Sequence, residues 1–146
     1  MKELLYLKDE QIKDFIQLLF YAYRETFSDP KEILAKNSFG PAHLRALNLI
    51  ERNPGTNLGE LMYQLKITKQ SLNRVLRSLI KHKYIKQKKS NSDTRVKEHF
   101  LEQKGKNFYN KVFDLQKKII MNALIYSDPV SVINFKKVLN KLANDN

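Results

Sequence analysis

Apolar residues recur at helical spacing along most of this chain. Ile12, Phe15, Ile16, Leu19, Tyr23 and Phe27 follow a 3.6-residue period between about Glu10 and Phe27, and Leu18 and Tyr21 widen the apolar arc. A helix that is apolar on more than one face must be covered on several sides. Ser28-Asp29-Pro30 is expected to end it, because proline disfavours helix in the residue before it. A second helix is predicted from Gly40-Pro41, where proline suits the first turn, to Asn53-Pro54-Gly55. It turns Leu44, Leu47 and Ile50 inward. A short third helix follows, with Asn57 as cap, Glu60 three residues later, and an apolar stripe of Leu58, Leu61, Met62 and Leu65.

The next segment is the most informative. Thr68 is a good N-cap for a helix from Lys69 to about Lys83. Leu72, Val75, Leu76, Leu79 and Ile80 form one core-facing stripe, and Gln70, Arg74, Arg77 and Lys81 then point the opposite way, flanked by Ser71 and Asn73. A short helix, a tight link and a second helix with such an outer face make a helix-turn-helix. Arginine can take guanine bidentately and Gln or Asn can take adenine, so this face suits a major groove. Two extended segments, Tyr84–Lys89 and Thr94–Leu101, enclose the turn cluster Ser90-Asn91-Ser92-Asp93 and predict a hairpin, the wing of a winged helix. Its basic residues Lys88, Lys89, Arg95 and Lys97 could reach phosphates or a narrow minor groove.

From about Lys104 to Tyr126 the helical period returns through Phe108, Val112, Leu115, Ile119 and Ala123. Asp128 caps and Pro129 opens a last helix bearing Val132, Ile133, Phe135, Val138, Leu139 and Leu142. Both ends of the chain thus carry more apolar surface than a winged helix can cover. A second subunit is the natural cover.

Charge sharpens this picture. The 146 residues carry a net +12, from 27 Lys+Arg against 15 Asp+Glu. Residues 1–53 hold 8 basic and 8 acidic side chains, whereas Lys66 to Lys97 hold 11 basic residues and a single acid, Asp93. An excess so concentrated points to an anionic partner. With no cysteine, thiol chemistry and thiolate metal sites are excluded, and His43, His82 and His99 form no metal-binding pair, so no metal or cofactor is expected. No Ser/His/Asp set, phosphate loop or paired-carboxylate motif stands out, so the chain is not expected to be an enzyme. No apolar run nears the roughly 20 residues that span a bilayer. A soluble, cytoplasmic protein with no membrane role is expected.

These residues resemble the MarR family of bacterial transcriptional regulators. The likeness runs from Pro41-Ala42-His43-Leu44 to Gly105 and includes Leu58-Gly59-Glu60-Leu61, Leu65 through Leu76, Leu79-Ile80, Tyr84-Ile85 and the wing's Asp93-Thr94-Arg95. Two positions depart from the family pattern: Lys83 replaces the usual glycine before the wing, and Glu102 replaces the customary threonine of Leu-Thr-x-x-Gly. The resemblance implies one mainly α domain over residues 1–146 with a small β-hairpin wing. A winged helix-turn-helix lobe would span about 40–103, and dimerisation helices about 8–28 and 104–146.

It further implies a homodimeric repressor on a palindromic DNA operator, released by a small-molecule effector. By position, Gln70, Ser71, Asn73, Arg74 and Arg77 would meet the major groove, Arg95 the minor groove with Asp93 bracing the wing, and Thr68 and Lys69 phosphate. Lys81, Lys88, Lys89 and Lys97 complete the expected DNA surface, on which His82 and His99 would meet phosphate or solvent. Tyr23, Phe27, His43 and Arg45 are the effector candidates. The alternative is a winged-helix module that binds RNA, protein or DNA without sequence preference; the Arg/Gln/Asn mix disfavours mere coating, a job for lysine alone.

Overall fold

The computed structural model describes residues 4–144. A 3-10 turn, Leu5–Leu7, precedes α1 (Asp9–Lys36), α2 (Pro41–Arg52), β1 (Thr56–Asn57), α3 (Leu58–Leu65) and α4 (Lys69–Lys81). The hairpin β2 (Ile85–Lys89) and β3 (Lys97–Leu101) follows, then α5 (Gln103–Ile125) and α6 (Pro129–Asn144). The fold is mainly α with a small antiparallel sheet, as the pattern predicts. By contact the chain divides into a unit of residues 29–114 and a second unit made of the residues before and after it.

The 29–114 unit holds the core. Leu44, Leu47 and Ile50 of α2, Leu61 of α3, and Leu72, Val75, Leu76 and Leu79 of α4 are buried, together with Ile85, Leu101, Phe108 and Val112. The predicted caps are in place. Asn57 Oδ1 accepts the Glu60 amide at 3.0 Å while Glu60 Oε2 accepts the Asn57 amide at 3.3 Å. Thr68 Oγ1 accepts the Ser71 amide at 3.1 Å.

Two features differ from the sequence reading. First, α1 does not stop at Ser28-Asp29-Pro30 but runs eight residues past Ser28, to Lys36. Proline forfeits one helical hydrogen bond there, yet Pro30 and Leu34 are buried in the lobe, and their burial outweighs the lost bond. The helix ends in a Schellman motif at Ser38 (φ 59°), with Phe39 donating to the Leu34 carbonyl at 2.9 Å and Ser38 to Ala35 at 3.0 Å. Second, the sheet has three strands in the order β1-β3-β2, because the two residues of β1 pair with His99 and Glu98.

The same motif closes α4: Tyr84 donates to the Leu79 carbonyl and Lys83 to Ile80, both at 2.9 Å. Lys83 therefore occupies the left-handed position, φ 59°, where glycine alone escapes the Cβ clash. Relief of that clash exceeds the entropy a glycine adds to the unfolded chain. Lys83→Gly should stabilise the protein by about 0.5–1 kcal/mol, read as a raised urea midpoint at fixed protomer concentration. An unchanged or lowered midpoint would show that the lysine is not strained.

The other unit, described over residues 4–28 and 115–144, has no buried residue at all. Phe15, Ile16, Leu18 and Phe20 on α1, Ile125 at the end of α5, and Val130, Ile133, Phe135 and Val138 on α6 are each more than half exposed. Asp128 caps α6 as expected, accepting the Ser131 amide at 2.9 Å. No described helix is long and apolar enough to cross a membrane.

Candidate nucleic-acid interface

The outer face of α4 and the hairpin form one surface of the 29–114 unit. Lys69, Gln70, Ser71, Arg74, Arg77 and Lys81 are exposed, and Asn73 is half-buried. Their commitments differ. The Thr68 hydroxyl is consumed in capping and donates onward to Ser71 Oγ at 3.0 Å. Arg77 Nε donates to its own helix at the Asn73 carbonyl, 3.3 Å away. Among the described residues, no carboxylate or carbonyl engages the Arg74 guanidinium.

The turn between β2 and β3 is built around Asp93. Its Oδ1 accepts the Arg95 amide at 3.0 Å and Arg95 Nε at 3.2 Å, and its backbone carbonyl takes the Val96 amide. The Arg95 side chain remains 90% exposed, so this exposed pair adds little stability but fixes the direction of the guanidinium. Lys88 lies over the Phe100 ring at 5.4 Å and faces Glu98 across the ladder. Lys89 stands directly opposite Lys97. Like charges so paired destabilise a hairpin, and an anion set against them reverses the cost.

Between α4 and the hairpin lies a cleft of about 410 Å³ whose lining includes Asn57, Asn73, Gln87, Arg95, Lys97 and His99. A second, of about 340 Å³, is lined by Asn73, Arg77, Gln87 and Lys97 among others. Gln87 belongs to both, and sequence reasoning did not single it out. His99 is corrected outright: it meets neither phosphate nor bulk solvent but is 1% exposed, with Nδ1 2.9 Å from the Thr56 carbonyl and Nε2 3.0 Å from Gln87 Nε2. His82 caps α4, its Nδ1 2.7 Å from the Ser78 carbonyl, and sets its ring edge-on to Phe39.

Of the effector candidates, Tyr23 and Phe27 pair their rings at 4.6 Å along α1. His43 and Arg45 lie on α2 in the other unit. His43 stacks on Phe39 at 4.7 Å, and its Nδ1 accepts the amide of Gly40, the N-cap of α2, at 3.0 Å. Among the described residues, no group of three or more His, Asp or Glu could hold a metal.

Burial pushes the His43 and His99 pKa values below the ordinary 6.5, and the charges of His82 and Lys97 respectively push the same way. Each ring thus takes up a proton less readily when folded than in the unfolded chain. Their contribution to stability is complete above the unfolded value of about 6.5 and is lost as pH falls through the lower folded values. Urea midpoints should hold steady from pH 8 to 7 and drop on acidification below about 6.5. A midpoint indifferent to pH down to 5 would mean that neither ring is held neutral.

The sequence comparisons agree with this architecture. Residues 38–95 match the model of the MarR family. The HTH-type transcriptional regulator PetP of Rhodobacter capsulatus is 36% identical over 139 residues, which cover 95% of this chain and 84% of that protein. The chain belongs to the MarR family. It is a MarR-family transcriptional regulator with the winged-helix fold. A MarR-family regulator from Silicibacter pomeroyi superposes with a TM-score of 0.78 at 17% identity, covering 99% of this chain and 96% of that one. A mutant MepR of S. aureus, solved bound to an oligodeoxyribonucleotide, gives 0.62 at 16% identity over 90% of this chain and 96% of that one.

Proposed function

We propose that the protein is a homodimeric repressor that binds a palindromic operator and is released by a small-molecule effector. The observation that carries the DNA reading is the exposed α4 face, where an unengaged Arg74 stands beside Gln70, Ser71 and Arg77. In this reading Gln70, Ser71, Asn73, Arg74 and Arg77 meet the major groove. Arg95, aimed by Asp93, enters the minor groove. Lys69, Lys81, Lys88, Lys89 and Lys97 lie along phosphate, with Thr68 fixing the start of the helix. The lobe spans about residues 40–103, and the dimerisation helices about 8–28 and 104–146. The apolar side chains exposed throughout the second unit support a partner subunit there, since patches of that extent on a lone chain mark an interface. Tyr23, Phe27, His43 and Arg45 are the effector candidates. The chain acts by binding, not by turnover.

Selection of bound duplexes from a random pool tests this. A two-fold dimer should enrich a palindrome with half-sites about 10 bp apart, or a multiple of that. Affinity for it should exceed that for random duplex by about 10³-fold or more at physiological salt. Equal affinity for all duplexes at every salt concentration would replace this reading with non-specific coating.

A further inference from the structure

Thr56, His99 and Gln87 lie in one transverse row across the three strands, His99 paired to Thr56 on one side and to Gln87 on the other. The hydrogen bonds along the row have a fixed sense. A carbonyl only accepts, so His99 Nδ1, 2.9 Å from the Thr56 oxygen, carries the proton. The neutral ring then offers a bare Nε2, and the group 3.0 Å away must donate: the Gln87 amide nitrogen. One N–H of Gln87 is spent on His99. The carbonyl oxygen and the second N–H of the same amide remain, on an exposed side chain lining both clefts beside α4.

We infer that Gln87 is a base-reading side chain whose orientation is set by His99, and that it selects adenine. This rests on the reading that α4 and the wing dock on DNA. An adjacent acceptor and donor match the N6 amino group and N7 of adenine, which a glutamine takes bidentately. Against guanine the same oxygen would face O6, lone pair to lone pair. Phosphate, an acceptor only, has no use for the outward oxygen. His99 touches no base; it is a positioning residue. Its proton is withheld by burial first and by the charge of Lys97. The other charges around the ring are Arg95 of the turn, Arg77 of α4 in the adjoining cleft, and Glu60 of α3, which holds the Thr56 hydroxyl at 2.8 Å. A charged ring would need an acceptor at Nε2 and would turn the amide round, presenting only donors.

The test is binding at pH 7.5 to a panel of duplexes with each operator base pair changed in turn. The wild type should prefer adenine at one position by roughly 5- to 150-fold, the range of a good bidentate pair. Gln87→Ala should lose that preference there alone. Gln87→Glu, which has only acceptors, should move it towards cytosine, whose N4 amino group donates. His99→Phe keeps the glutamine but frees its amide, so adenine over guanine should fall below about fivefold at an unchanged salt slope. Should His99→Phe fail to fold, nitrogen NMR of the wild type serves instead, and must show His99 protonated at Nδ1 and bare at Nε2. The opposite tautomer, or base profiles unaltered in Gln87→Ala, would overturn this inference while leaving the DNA reading intact. A wild type that discriminates at no position would overturn the DNA reading itself.

Discussion

Gly105→Ala should cost about 3 kcal/mol of stability, at the upper end of what overpacking does. A Cβ at this position would sit 2.0 Å from the Tyr84 carbonyl oxygen and 2.8 Å from its carbon. Both obstacles are main chain, so no rotamer change relieves them. The Tyr84 segment cannot easily yield: its amide closes α4, its carbonyl accepts the Glu102 amide at 2.9 Å, and Ile85 begins β2 immediately after it. Alanine's better helix propensity returns only about 1 kcal/mol. The matching control is Gly59→Ala on α3, where the added Cβ meets only Asn57 Oδ1 at 3.4 Å. That change should be neutral or stabilising by up to about 1 kcal/mol. Urea unfolding of the two variants side by side decides the matter, and equal midpoints would show that α5 has room to retreat from Tyr84.

The contrast between these glycines shows what a single sequence makes legible. Helices α2 to α4 and the hairpin were readable because their determinants are local: Asn57 and Glu60 cap within one turn, Thr68 caps Ser71, and the stripe from Leu72 to Ile80 keeps its period. The bracing role of Asp93 came with the family resemblance, and its hydrogen-bond partner in the turn is Arg95, two residues on. Pro30 misled, since the local rule was right about the bond it forfeits and silent about the burial of Pro30 and Leu34. The strand β1 has two residues and no alternation to read; its pairing with β3 lies some forty residues downstream. Position alone puts His99 on the expected DNA surface, against phosphate or solvent. Only the register that sets it between Thr56 and Gln87 turns it into a buried ring with both nitrogens engaged. The alternation Ile85, Gln87, Lys89 was the one available hint that Gln87 shares a face with a core residue.

Arg74→Ala should weaken binding to the preferred duplex by roughly 1–3 kcal/mol per half-site, and relax discrimination at one base pair of each. Arg74 is singled out because its guanidinium is unengaged, whereas Arg77 is bonded to the Asn73 carbonyl and Arg95 to Asp93. An unengaged guanidinium gives up no intramolecular bond when it turns to a base, so its full interaction appears in affinity. Its exposure means that stability should stay within about 0.5 kcal/mol of wild type, which separates a lost contact from a damaged fold. Lys88→Ala is the complementary variant. It should lower the salt slope by about 1 per half-site and leave the base preferences alone, as removal of a phosphate contact does. Binding of both variants to the same duplex panel over a salt series distinguishes the roles. If Arg74→Ala lowers affinity equally for every sequence, the arginine clamps phosphate, and base discrimination must come from its neighbours on α4 and from the wing.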